Sequence, residues 1–171
     1  FSGCISSRIK HRGTIVFSAL FLGLILLGIA LSSSLLILRA GMFLVGASAG
    51  FYLPSGIATL TSLINARDWG KAIAIHELAP NLGFVTVPIV CEILLLQLSW
   101  RGIIGFLGII SIAIGIAFIF LGKGGNFYGQ APSIAASRTL FSVPSFWIMV
   151  ALFGLGITGS LGIFSMLPLY L

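Results

Sequence analysis

Charge is scarce in this chain and acid scarcer still: 7% of the 171 residues are Asp, Glu, Lys or Arg, and only three are acidic. With 58% hydrophobic residues and a mean hydropathy of +1.20, that shortage excludes a water-soluble globular domain. Cysteine is nearly absent. Cys4 precedes the first apolar run and Cys91 lies inside a later one, so no disulfide framework exists. The two histidines, His11 and His76, sit on different segments without a Cys/His cluster, which leaves no metal site and no implied cofactor. Segments of alternating polarity are missing too, which excludes a membrane β-barrel.

What is present is apolar sequence without a polar face, as in LFLGLILLGIAL and IIGFLGIISIAIGIAFIFL. Such runs cross a hydrocarbon core of about 30 Å as helices rising about 1.5 Å per residue. The expected fold is therefore all-α, a polytopic transmembrane bundle with spans at about 14–32, 35–63, 72–97, 102–121 and 146–171. The links at 32–34 (SSS) and 98–101 (LSWR) are tight and make helical hairpins. Residues 122–145, rich in Gly, Ser and Pro, form the one long connection and the natural boundary.

Short loops rich in Lys and Arg stay in the cytoplasm. Arg8, Lys10, Arg12, Arg67, Lys71, Lys123 and Arg138 fall on one side of the alternating topology, with only Arg39 and Arg101 toward the other. This predicts a cytoplasmic amino terminus and an outer Leu171. The net charge of +6 then reflects loop sorting and contact with anionic lipid, so no nucleic-acid partner is needed. Phe1 is no initiator Met, no signal peptide is visible, and LPLYL ends without a polar flank, so the chain reads as a piece of something longer.

Polar residues within apolar runs are the functional candidates. In RDWGKAIAIHELAPNLG and the residues after it, about 100° per residue puts Glu77, Asn81, Phe84, Pro88 and Glu92 on one helical stripe, with His76 on its shoulder. An acid at the bilayer centre costs roughly 2.5 to 3.5 kcal/mol, so this stripe should face protein or water. Two readings stay open: His76 and Glu77 line a polar cavity, or they sit at the cytoplasmic interface and pair with loop bases. Glu92 is either an interfacial anchor or the partner of Arg101. Pro80 and Pro88 predict a bent helix.

The preceding run carries Arg39 on the same face as Gly46, Gly50 and Pro54. Those small residues suit close helix packing, while Arg39 either snorkels outward or faces a cavity as a fixed positive charge. Gly46 to Gly50 also match G-x-S-x-G, but a nucleophile elbow needs a strand before its serine, and this match lies within one apolar helix. Glycines 154, 156, 159 and 162 read mainly as packing positions, and Thr158 or Ser165 either faces a pathway or bonds back to its helix.

Taken together, these pieces resemble the major facilitator superfamily. GCISSRIKHRG is similar to that family's loop pattern G-x-x-x-D-R-x-G-R-[RK]. Gly3, Arg8 and Arg12 match, His11 replaces a basic position, Ser7 stands for the acid and Lys10 for the second Gly. Gly46, Gly50 and Pro54 keep the spacing of the family's fourth helix, with Arg39 about one turn earlier than its usual Arg. RDWGKAIA, LSWRGIIGF and FWIMVALFGLG with LPLYL resemble the link to helix 5, the turn into helix 6 and helix 7.

The resemblance implies helices 3 to 7 of a twelve-helix transporter. Residues 1–121 would belong to the amino-terminal bundle, 122–145 would be the cytoplasmic inter-bundle loop and 146–171 would open the second bundle. It implies a permease, not an enzyme, whose bundles rock about a central site to give a small solute alternating access, with Gly3, Arg8 and Arg12 in a cytoplasmic latch. Candidate substrate or coupling residues are Arg39, His76, Glu77, Asn81 and Glu92, with protons as the coupling ion, and the expected location is the inner membrane. The rival reading is a non-transporting sensor or scaffold whose polar stripe pairs with a partner helix.

Overall fold

The computed structural model describes the backbone of residues 2–131 and 133–166, with side chains described throughout these except at 134–137 and 160–166. The first unit, residues 1–131, holds α1 (Ser2–Leu31), α2 (Leu35–Ser62), a 3-10 turn (Ala66–Asp68), α3 (Trp69–Leu95) and α4 (Trp100–Leu121). The second unit, residues 132–171, holds α5 (Ile134–Phe141) and α6 (Pro144–Met166). Among the described residues there is no strand.

Among the described residues, four helical stretches are long and apolar enough to cross a membrane: α1, α2, Ala66–Leu95 and α4. The fifth expected span is present as α6, whose apolar portion over the described side chains is Pro144–Gly159. The LPLYL end of that span and the side chains of Gly162 and Ser165 lie outside the described residues. One expectation needs correcting: residues 2–13, read as loop, are helical and continue into the first span through a kink at Lys10.

Tight turns define the hairpins. Ser32–Ser34 separate α1 from α2, and Ser34 accepts the amide of Leu38 on its carbonyl 3.1 Å away. At the start of α4, Ser99 caps the helix by accepting the Gly102 amide on Oγ at 3.2 Å, a bond that satisfies one of the orphan donors of the first turn. In the second unit, Phe141, Phe146 and Trp147 form an aromatic cluster, and Trp147 Nε1 donates to the Phe141 carbonyl at 2.9 Å.

Helix α1 is the central element of the first unit, packed along its length against α2 and α4. In lipid no hydrophobic force drives helices together, so close packing and interhelical hydrogen bonds must hold them. Ser18 and Ser48, both buried, exchange bonds across the α1–α2 contact: Ser18 Oγ donates to the Ser48 carbonyl at 2.8 Å, and Ser48 Oγ to the Ser18 carbonyl at 2.9 Å. On the other side Ser111 Oγ of α4 donates to the Ala19 carbonyl at 2.8 Å. Gly23 and Gly108 bring the two backbones together. A Cβ on Gly23 would lie 2.7 Å from the Gly108 carbonyl oxygen, and one on Gly108 would lie 3.0 Å from that of Gly23.

The small-residue stripe expected to pack α2 is not the one used. Gly41, Ser48, Ser55 and Thr59 face inward and are buried, while Gly46 and Gly50 lie about 140° and 180° around the helix from Gly41. A Cβ at either would meet nothing within 4 Å, and Pro54 is exposed on the same side. The reason is chemical: the inward stripe adds hydroxyls that bond across the contact, whereas the glycine face offers shape alone. Helix α3, by contrast, has no buried residue.

Replacement of Gly23 by Ala should therefore destabilise the first unit by about 1–3 kcal/mol through overpacking against α4, whereas Gly46→Ala should leave thermal stability unchanged or slightly raised. Thermal unfolding of the two variants in the same detergent checks the contrast.

Candidate functional site

The amino-terminal end of the first unit is organised by one backbone event. Lys10 adopts φ 64° and ψ 165°, outside helical geometry, and divides α1 into two pieces. It stands where the family pattern resembled above has a glycine, and glycine adopts this conformation without a Cβ penalty. The break frees the first amides of the second piece, which residues after α4 then satisfy. Arg12 N donates to the Gly125 carbonyl at 2.9 Å and His11 N to the Phe127 carbonyl at 3.2 Å, while Gly129 N returns a bond to the Ser6 carbonyl at 3.0 Å.

Residues 122–131 thus form a strap across the kink. Its approach is close at Gly125 (φ 70°), where a Cβ would stand 2.7 Å from Thr59 Oγ1 and 2.9 Å from Arg12 N. Gly124 (φ 80°) lies as near to Leu63. Side chains tighten the junction: His11 packs on Phe127 with ring centroids 4.7 Å apart, and Lys10 Nζ sits 5.3 Å from the Tyr128 ring centroid. His11 Nδ1 lies 3.2 Å from Ser55 Oγ. Of the latch candidates, Arg12 donates through Nη2 to the Ile119 carbonyl at 2.8 Å, a favourable place for a cation at the α4 carboxyl end. The Gly3 carbonyl accepts from Ser6 Oγ, and Arg8 is exposed.

Beneath the strap, α1, α2 and α4 line a half-open cavity of about 520 Å³ that His76 of α3 also touches. Its wall is mainly aliphatic, with Ile15, Leu22, Leu60 and Ile114 among the lining. At its α3 side both ring nitrogens of His76 are engaged. Tyr52 Oη lies 3.0 Å from Nε2, and Glu77 Oε1 lies 3.3 Å from Nδ1. The Tyr52 and His76 rings stack with centroids 6.0 Å apart. This chain supports two proton arrangements. In one, tyrosine donates to imidazole and imidazole to an ionised carboxylate. In the other, a protonated carboxyl donates to imidazole and imidazole to the tyrosine oxygen.

The remaining sequence candidates are placed apart. Asn81 turns back and donates Nδ2 to the Glu77 carbonyl at 2.6 Å, and is exposed. Arg39 and Glu92 are exposed, about 20 Å along their helices from Tyr52 and Glu77 respectively. Arg101 does not pair with Glu92; it stacks on Trp100, 4.5 Å from the ring centroid, and donates Nε to the Ser32 carbonyl at 3.3 Å. Tyr52 went unnoticed in the sequence, although a tyrosine hydroxyl inside an apolar run needs a partner and pointed to one. Among the described residues no group of three or more His, Cys, Asp or Glu is placed to hold a metal ion.

Four membrane-capable helices, a half-open cavity between them and a polar chain at its edge define a multi-pass integral membrane protein. The chain belongs to the Major Facilitator Superfamily, which it matches over residues 1–171. It is similar to Protein TsgA of Salmonella arizonae (strain ATCC BAA-731 / CDC346-86 / RSK2980), with 27% identity over 160 residues covering 90% of this chain. The chain spans 39% of that relative's length. No solved structure matches it.

Strain at Lys10 and crowding at Gly125 give opposite expectations. Lys10→Gly should stabilise the junction by about 1 kcal/mol, and Gly125→Ala should destabilise it by about 1–3 kcal/mol, read as thermal unfolding. His11 lies before the apolar stretch, and burial lowers its pKa from 6.5, so the unfolded junction binds more protons. Its contribution is present above pH 6.5 and is lost as pH falls through and below that value. Protection of the His11, Arg12 and Gly129 amides from exchange, corrected for intrinsic rates, should fall over that window and become pH-independent in His11→Gln.

Proposed function

We propose that this chain forms part of a secondary transporter that moves a small solute by alternating access, with protons as the coupling ion. Membership in the superfamily supports a transporter in place of an enzyme, and the reading carries over the two-bundle mechanism expected for the family. The observation that carries the coupling is His76 held on both nitrogens, by Tyr52 and Glu77, beside a cavity among apolar helices. Ionisable groups on membrane-spanning helices can relay protons or counter a charged solute, uses that offset the cost of placing them there.

In this scheme Glu77 loads the proton, His76 passes it and Tyr52 fixes the imidazole orientation. Arg39, Asn81 and Glu92 are secondary candidates for contact with solute, and Gly3, Arg8 and Arg12 with the strap form a cytoplasmic junction that holds one conformation. On this reading the basic loops and the amino terminus face the cytoplasm, and the inner membrane is the protein's location. The exposed stripe on α3 also favours a second reading, a sensor or scaffold paired with a partner helix.

Proton movement into dye-loaded proteoliposomes, evoked by a panel of polar, anionic and amphiphilic solutes, separates the two. Glu77→Gln should abolish solute-evoked proton movement, and Tyr52→Phe should lower it about tenfold or more and shift its pH profile. Unchanged coupling in Glu77→Gln would remove the relay from the mechanism, and no flux with any solute would favour the sensor or scaffold.

A further inference from the structure

The cavity has polar groups in several places, but at one end only do they lack partners. Most of its hydroxyls are already used: Ser18 donates to the Ser48 carbonyl, Ser111 donates to the Ala19 carbonyl, and Tyr52 is bonded to His76. Two lining groups differ. Thr59 Oγ1 is buried without a hydrogen-bond partner, and the Thr59 residue is only 6% exposed. Lys123 lines the same cavity and, among the described residues, makes no ion pair. Both stand at the strap end, since Thr59 faces Gly125 and Leu63, one turn beyond it, faces Gly124.

The rest of the wall is mainly hydrocarbon, interrupted by Ser18, Ser111, Tyr52 and His76, whose polar groups already have partners, and it is elongated. Lining residues on α2 run from Ala49 to Leu60, about 16 Å along the helix, with Leu63 just beyond its end. Ile15, Leu22, Leu60, Ile114 and Phe118 supply apolar surface over that length. A volume of about 520 Å³ falls in the size range of ligand pockets. None of the three acids of the chain, Asp68, Glu77 and Glu92, lines it, and Asp68 is taken by Lys71 at 3.2 Å. The exposed cation Lys123 thus stands at one mouth of the cavity without an acidic partner, and mainly apolar surface lies behind it.

We infer that this cavity binds a single-chain amphiphile with a carboxylate head, its head between Lys123 and Thr59 and its alkyl chain directed toward Leu22 and Ala49. The carboxylate supplies the charge that Lys123 lacks and the acceptor that the Thr59 hydroxyl lacks, so the buried donor is no longer unsatisfied. Seating the head displaces the Gly124–Gly125 turn from Thr59 and so connects occupancy to the strap. As a substrate class the inference rests on the transport reading; as a binding site it stands by itself.

The test is equilibrium binding of radiolabelled hexadecanoate to the full chain in phosphatidylcholine nanodiscs, with 1-hexadecanol as the uncharged probe and empty nanodiscs as the partition blank. Lys123→Gln should weaken hexadecanoate about tenfold and leave hexadecanol unchanged, Lys123→Arg should keep both, and Thr59→Val should weaken hexadecanoate to a lesser degree. Ala49→Phe, which fills the apolar end, should remove both probes, and Lys71→Gln should change neither. Hexadecanoate uptake equal to the blank, or equal in the parent and Lys123→Gln, overturns the inference, as does a phospholipid found occupying the site by native mass spectrometry. Absent binding with solute-evoked proton flux intact overturns this ligand class alone. Binding without any flux upholds the site and removes the transport reading.

Discussion

The reciprocal bond between Ser18 and Ser48 is the constraint from which the first unit is built. In lipid, aliphatic side chains gain nothing by leaving one apolar neighbour for another, so the rotation of α2 against α1 is chosen by the groups that can bond across the contact. Once those serines meet, Gly41, Ser55 and Thr59 are turned inward with them and Gly46 and Gly50 are turned away. The same rotation brings Tyr52 round to His76 and leaves Thr59 beneath the strap. Packing geometry and the candidate chemistry thus follow from one polar contact.

The kink at Lys10 works in the same currency of unsatisfied backbone groups. A continuous helix would have bonded the amides of His11 and Arg12 internally and left the strap without anchors. By leaving helical geometry at a single residue, the chain exposes two donors, and residues after α4 accept them. Two glycines with positive φ let the strap come close enough. Helices distant in sequence are therefore tied at a point where the family's loop pattern would place a latch, through main-chain bonds that do not need the acid replaced by Ser7.

Much of this was legible from composition and run length. Helical class, four of the spans as membrane-capable helices, and the hairpin links follow from hydropathy, because a segment in lipid has few ways to satisfy its own backbone. His76 and Glu77 were marked together as polar neighbours in an apolar run, but their contact with each other was not foreseen. Asn81 shared their face by periodicity, yet its amide folds back onto the Glu77 carbonyl, since a side chain four residues on has that acceptor within reach. Arg39 and Glu92 were marked by charge alone, and charge in an apolar run says nothing of depth or neighbour.

What the amino-acid sequence determined by itself is the solvent, the helices and their approximate limits, because these depend on each segment's own polarity and length. Only the tertiary structure decided which face of α2 is buried, that Lys10 carries a glycine-like backbone, that residues 122–131 close over the kink, and that Tyr52 meets His76. Each of those depends on groups far apart in the chain meeting at hydrogen-bond distance. Periodicity can place two residues on the same face of a helix, but the partner helix selects the face.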